Sequence, residues 1–228
     1  MSYLVGTDIG TLGTKSVLVT LEGKVLGEGF KEYDVITLKQ GWAEQWPKPW
    51  EDATYATIKM AVEQSGVDPK EIAGACISAL YGGSGIPVDR EYKPIRPCLI
   101  WADRRAIEEC RWVGNKIGEE ALFNVTGNII DPYYGYTKMI WIRENEPEKW
   151  AKIHRFETPN AYVIRQLTGV ESIDYSSAGN YGGIFDLAKR DWSHEMMEEL
   201  SIPAHFFPQK IHSSEEIVGE VTADKEKA

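Results

Sequence analysis

Cysteine and histidine are scarce in this 228-residue chain, and neither is arranged as a metal or redox centre. Cys76, Cys98 and Cys110 are odd in number and lack the close spacing of a zinc or redox motif, so buried thiols in a reducing compartment are expected. His154, His194, His205 and His212 are dispersed, and no metal–histidine site is expected from them. Basic residues are also in deficit, 25 against 35 acidic ones, for a net charge of −10. That balance argues against a nucleic-acid backbone as partner, since binding one needs a basic footprint. A phosphate-bearing small molecule is not, because backbone N–H groups can hold an anion within an acidic protein. No apolar run approaches membrane-spanning length, which argues against a membrane partner. Met1-Ser2-Tyr3-Leu4-Val5 reads as a strand entering a turn rather than a signal peptide, and the expected location is cytoplasmic. Internal repeats and low-complexity stretches are missing too.

What is present is the composition of an ordinary soluble globular protein, 43% hydrophobic and 26% charged, long enough for one large domain or two small ones. The first 35 residues predict a three-stranded meander, with strands at Leu4–Thr7, Ser16–Leu21 and Val25–Val35. Trp50, Ala53, Thr57, Met60 and Ala61 fall at helical spacing and should bury one face. Asp68-Pro69 reads as an N-cap and first helical residue, with Glu71 at the third position. Ile72–Leu80 and Pro97–Trp101 read as buried strands. Beyond Asp103 the pattern is mainly helical: Thr158-Pro159 should open a helix that ends at Gly169, and Ser193 should cap another carrying Met196, Met197 and Leu200. Strands first and crossover helices later point to an α/β layer fold.

The strongest chemistry lies between Gly6 and Lys15. Gly10 and Gly13 allow a sharp turn and a close approach to a ligand. Thr11 and Thr14 add hydroxyls, Lys15 a positive charge, and Asp8, at the end of an apolar strand, is placed to hold Mg²⁺ directly or through water. This set suits a transferring phosphoryl group, where protein supplies positioning and charge. The spacing is not that of a Walker A loop, and a strand follows instead of a helix. An ordinary glycine-rich hairpin with a polar tip accounts equally well for the spacing alone.

The wider pattern favours the functional reading. Asp8-Ile9-Gly10-Thr11-Leu12-Gly13-Thr14-Lys15 resembles the first phosphate motif of the FGGY carbohydrate kinases. Gln40-Gly41-Trp42-Ala43-Glu44-Gln45 is similar to that family's G-W-x-E-Q segment, and Ile95–Arg105 to its R-P-x-I-x-W-x-D-x-R segment. Asp174-Tyr175-Ser176, Phe185-Asp186 and Arg190-Asp191-Trp192 recur in family order, so the resemblance spans nearly the whole chain. It implies a ribonuclease H-like domain of the actin and hexokinase type. The sheet would be mixed and five-stranded, in order 3-2-1-4-5, with helices on both faces. It further implies ATP and Mg²⁺ as cofactors, with Asp8 as metal ligand and catalytic residue.

The resemblance also implies a sugar held between two domains. Trp101 and Tyr133 match positions that line the polyol site in glycerol kinases, and Asp103 could accept hydrogen bonds from vicinal hydroxyls. Each has a structural alternative: core packing for Trp101, a helix N-cap for Asp103. Trp42 and Trp46 are read as structural. Asp131-Pro132-Tyr133-Tyr134 through Thr137-Lys138 and Trp141 resembles glycerol kinases, but their Arg-Glu pair after the strand at Ile72–Ser78 has no counterpart. Xylulose kinases carry Gln-Met-His-Gly there, whereas this chain reads Leu80-Tyr81-Gly82-Gly83, with Gly82 at the histidine position; Tyr81 and Gly82 are the corresponding sugar-site candidates. The stretch Gly169–Thr222 reads most like xylulose kinases. A ketopentose is the first expectation, a three- or four-carbon polyol the second, and a non-catalytic actin-like binding module the rival from another class.

Residues 1–222 are expected to form the phosphate- and sugar-binding domain, and 223–228 a charged tail at the start of an interdomain linker. The family's general base and its adenosine-binding residues belong to a C-terminal domain beyond this sequence. The chain alone is therefore expected to fold but not to phosphorylate, and to present an apolar wall prone to self-association, including homodimerisation.

Overall fold

Val5, Thr7 and Ile9 are buried while Leu4 and Asp8 are exposed, the period-two alternation of a strand with one covered face. The computed structural model describes residues 2–222, and the tail expected at 223–228 lies outside them. Strands β1 (Tyr3–Ile9), β2 (Gly13–Thr20) and β3 (Val25–Glu32) form the antiparallel meander. After the two-residue β4 (Glu44–Gln45) and helix α1 (Pro47–Ser65), β5 (Ile72–Ala79) returns parallel to β1. The mixed sheet runs β3-β2-β1-β5.

It has four strands, not the expected five. After β6 (Ile86–Val88), the expected fifth strand at Pro97–Trp101 shrinks to β7 (Cys98–Leu99), which pairs antiparallel with β4. The cause is local. Pro94 and Pro97 have no N–H to donate, the Ile100 N–H goes to the Ala43 carbonyl, and the Asp103 N–H closes a turn on the Ile100 carbonyl.

The expectation of helices on both faces is also corrected. Among the described residues, α1 packs beneath β1, β2 and β3 and α6 (Pro159–Thr168) against β5, whereas the opposite face leaves Leu4, Lys15, Phe30, Cys76 and Ser78 exposed. β5 is thus half open, not fully buried, and only Cys98 of the three thiols is buried. Asp68 does cap, its carboxylate accepting from the Lys70 N–H at 3.0 Å, but only a single 3-10 turn fits before β5 begins.

Helix α1 buries Trp50, Ala53, Thr57 and Ala61 as its spacing predicts, together with Thr54; Met60 instead is 43% exposed. It lies against β3 at glycine. A β-carbon built on Gly27 would stand 2.1 Å from the Ala61 carbonyl oxygen, inside the helix backbone. Gly27→Ala should therefore lift α1 and cost about 3 kcal/mol, at the upper end of overpacking effects. Urea unfolding checks this, and an unchanged midpoint would remove the glycine from the packing argument.

The rest of the chain is a helical half with its own core. It comprises α2 (Ile107–Lys116), α3 (Glu119–Thr126), α4 (Gly135–Asn145), α5 (Pro147–Trp150), β8 (Arg155–Glu157), α6, α7 (Tyr175–Asn180), β9 (Phe185–Asp186), β10 (Asp191–Trp192) and α8 (His194–Glu199). Tyr136, Met139, Phe156, Tyr181, Trp192 and Phe207 centre that core. A second cluster, with Ile9, Trp50, Ile77, Ile100 and Val163, joins it to the sheet. Helix α6 ends on Gly169 in the left-handed conformation, and Ser193 accepts from the Met196 N–H, both as predicted. Thr158 precedes α6 without a side-chain cap. No helix among the described residues is long and apolar enough to cross a membrane.

Candidate functional site

β1 and β5 end side by side, with Asp8 opposite Ser78 and Ile9 opposite Ala79, and the Leu80 N–H continues the pairing onto the Ile9 carbonyl. The chain leaves both strands at their carboxyl ends, where open α/β sheets bind ligands. Asp8 is the penultimate residue of β1, an interior strand, and its exposed side chain has no hydrogen bond or ion pair among the described residues.

The Gly10–Gly13 turn is held from several sides. The Gly10 N–H donates to the Gly13 carbonyl at 2.9 Å, and the Tyr33 hydroxyl to the Gly10 carbonyl at 2.7 Å. A β-carbon on Gly13 would come within 2.8 Å of the Lys31 carbonyl oxygen, so the tight turn admits only glycine there. Among the described residues no acceptor takes the Thr11 or Leu12 N–H, which leaves two adjacent donors for solvent or an anion. Thr14 points the other way. It is fully buried and its hydroxyl meets that of Tyr33 at 3.1 Å, so it braces the loop from beneath and offers no hydroxyl to a ligand. Burial, together with the nearby Asp8 charge, pushes Tyr33 up to about 12 despite the Thr14 contact, so its phenol stays a donor at neutral pH. Lys15 sits opposite Asp8 in the register and pairs with Glu28 at 3.1 Å, both more than half exposed.

The segments 41–45 and 100–105 clamp this loop. Gln45 Nε2 donates to the Thr11 carbonyl at 2.8 Å and Trp101 Nε1 to the Thr11 hydroxyl at 2.9 Å. Trp101 is 43% exposed, which excludes the core-packing alternative. Asp103, by contrast, is fully buried: its carboxylate accepts from the Ala43 N–H at 2.7 Å, from the Arg105 N–H and from the Arg105 guanidinium. It therefore does not present itself to sugar hydroxyls, and it is not an N-cap either, since α2 is preceded by Ala106. Its place is to fix the turn that carries Trp101. Arg105 also meets Glu44 at 2.8 Å, Arg96 meets Glu44 at 2.8 Å and Glu146 at 2.9 Å, and the Arg105 guanidinium lies 3.6 Å from the Trp42 ring centre. Trp42 is structural as expected, whereas Trp46 is 42% exposed at the head of α1.

On the other side, Gly82 has φ +74°, and a β-carbon there would fall 2.5 Å from the Tyr133 ring. The two candidates are thus in contact. Arg104 reaches Asp131 through two bonds of 2.6 and 3.0 Å, and Asp131 accepts the Tyr133 N–H at 2.7 Å, tying the Trp101 turn to the Tyr133 segment. Burial pushes the Asp131 carboxyl up, but Arg104 and the Tyr133 N–H outweigh it and hold it below the usual range. Tyr81 is pushed up by burial and by the charges of Asp174 and Asp8, which places it in the field of the Asp8 carboxylate. The structure thus brings together Asp8, Gly10, Thr11, Gly13, Lys15, Tyr81, Gly82, Trp101 and Tyr133, and sets Thr14 and Asp103 behind them. Gln45, Tyr33 and Lys138 are additions. Gln45 and Lys138 lie in segments already singled out; nothing in the sequence marks Tyr33.

Residues 3–228 match the N-terminal domain of the FGGY family of carbohydrate kinases. The chain is 31% identical to the xylulose kinase of Bacillus subtilis (strain 168) over 93% of its own length and 42% of that protein. It is 29% identical to the glycerol kinase of Thermococcus gammatolerans, covering 93% of this chain and 43% of the other. The solved structure of ligand-bound xylulose kinase from Lactobacillus acidophilus superposes with a TM-score of 0.92 at 25% identity, over 100% of this chain and 45% of that one. The chain spans less than half the length of these relatives.

Proposed function

The chain belongs to the FGGY family of carbohydrate kinases, and from that premise we propose that it forms the phosphate- and sugar-binding wall of an ATP-dependent kinase acting on D-xylulose or a related ketopentose. The observation that carries this reading is the Trp101–Thr11 hydrogen bond, which joins an exposed aromatic face to the phosphate loop. An acceptor stacked on that indole would lie beside the group it receives, and such positioning is the main protein contribution to phosphoryl transfer.

The residues fit the implied cofactors. Mg²⁺ commonly takes only one or two protein carboxylates and completes its shell with phosphate oxygens and water. Asp8 alone suffices for that, and among the described residues no cluster of three His, Cys, Asp or Glu side chains stands ready to hold a metal by itself. When bound, the metal would offset charge on the transferring phosphate. The Thr11 and Leu12 N–H groups would orient phosphate oxygens, Lys15 would add positive field, and Trp101, Gly82 and Tyr133 would line the acceptor side.

The two carboxylates in the acceptor segments, Asp103 and Asp131, are both committed to arginines. Neither is free to take the proton of an attacking hydroxyl, and the family resemblance implies a base on a second domain. A polyol acceptor is the alternative, favoured by the segment from Asp131 to Trp141, which resembles that of glycerol kinases. The absence of an Arg-Glu pair after β5 weighs against it, since no bidentate grip on a three-carbon polyol remains there.

Titration of the chain with D-xylulose, erythritol and glycerol, followed by NMR at the Trp101 indole N–H and the Tyr133 amide, tests the reading. D-xylulose should shift both at millimolar concentration and glycerol should do so less, while an ATP-consumption assay with Mg²⁺ shows no sugar-dependent turnover. Stronger shifts with glycerol would transfer the proposal to polyols. Shifts with none of the three would end it.

A further inference from the structure

Lys138, in the first turns of α4, is fully buried. Its Nζ donates to the Gly82 carbonyl at 3.0 Å, to the Tyr133 carbonyl at 2.7 Å and to the Pro132 carbonyl. An ammonium has three N–H donors, and here three main-chain oxygens take them. Two of those oxygens belong to the segment before α4 and one to the segment after β5, over fifty residues earlier in the chain. The same two segments meet again through the Tyr133 ring, which fills the space a Gly82 side chain would need.

We propose that Lys138 is a positioning residue for the acceptor side: its ammonium pins the backbone of Gly82 to that of Pro132 and Tyr133, and so fixes the spacing of the two segments that would meet the sugar. The role for the sugar rests on the kinase reading above; the pin itself does not. Lysine is almost never fully buried without partners, because desolvation of the charge is costly. Without the ammonium, three carbonyls would face an interior with no donor, and the segments would have to part to admit water.

The pin is sensitive to pH. Charged and titratable groups face it from each neighbouring element: Asp103 and Arg104 from the turn after β7, Cys98 from β7 and Asp131 from the segment before α4. Burial dominates and pulls its pKa from 10.5 down to about 8, against the pull of Asp103. A neutral amine keeps two donors and turns a lone pair toward the third carbonyl, so the clamp loosens as the proton leaves. Global stability moves in the opposite sense. The unfolded lysine holds its proton up to the higher pKa, so between those values the unfolded state binds more protons and this group favours folding as pH rises. Loosening of the site is therefore separable from unfolding.

NMR of the 228-residue chain between about pH 6.5 and about pH 9.5 decides the matter. Without sugar, the Gly82, Gly83 and Tyr133 amides should shift in one transition that coincides with the titration of the Lys138 side-chain carbon next to Nζ. With D-xylulose, affinity should fall about tenfold across the same transition, the equivalent of one hydrogen bond. Lys138→Met should abolish the transition and leave affinity low at every pH. Amides that stay fixed while Lys138 titrates would overturn the proposal, and this arm needs no variant, should Lys138→Met fail to fold. A transition that persists in a folded Lys138→Met chain would overturn it too. If the wild-type chain binds none of the sugars, the kinase reading fails while the sugar-free titration still judges the pin.

Discussion

Asp8→Ala is expected to lower turnover about a thousandfold in a kinase that contains this chain and its second wall, a loss in the range seen when a preorganised transition-state charge is removed. The melting temperature should not change, because the carboxylate is exposed and carries no hydrogen bond or ion pair among the described residues. Lys15→Ala should cost less. Its ammonium already shares its charge with Glu28 at the surface, and the loop N–H groups remain. Steady-state kinetics with saturating acceptor and Mg²⁺ check both. Near-normal turnover in the Asp8 variant would remove this carboxylate from the mechanism.

The second large effect is on stability. Arg105→Ala should cost about 3–5 kcal/mol, because it leaves the buried Asp103 and Glu44 carboxylates short of their shared counter-charge. Arg105→Lys should recover little, since an ammonium cannot reproduce a planar fork that also lies over the Trp42 ring. The nearby Arg104→Ala makes a useful contrast. That guanidinium is half exposed, and its loss should cost under about 1 kcal/mol while freeing Asp131 and the Tyr133 segment. Denaturant midpoints of the three variants give the ranking. An Arg105→Ala chain as stable as Arg104→Ala would show that the buried charges find other partners.

The meander and β5 were legible because their signal is local: alternation along each strand and a glycine-rich turn between the first two. The helical half was legible in its caps, with Gly169 and Ser193 where the sequence places them. What failed depended on partners far away. Ile72–Leu80 is apolar enough to read as doubly buried, yet Cys76 and Ser78 face outward, because small residues look alike whether a layer covers them or not. Pro97–Trp101 reads as a strand until the turn closed by Asp103 is known. The site shows the same division. Asp8, Gly10 and Gly13 stand out by residue type and lie at one turn, whereas Thr14 and Asp103 look like ligand-binding residues and prove to be buried braces, of that turn and of the Trp101 turn, since a buried side chain and an exposed one share the same letter.

The Trp101–Thr11 hydrogen bond also bears on the order in which the molecule is made. Thr11 is held by Gln45 and Trp101, 34 and 90 residues further along the chain. A nascent chain with only the meander outside the ribosome has the turn but neither clamp, and each later closure costs loop entropy before its hydrogen bond forms. The Gly10–Gly13 turn, though its sequence is local, thus acquires its set shape only after the Trp101 turn has emerged and docked. Until then the growing polypeptide carries a hairpin whose tip is not yet held in place.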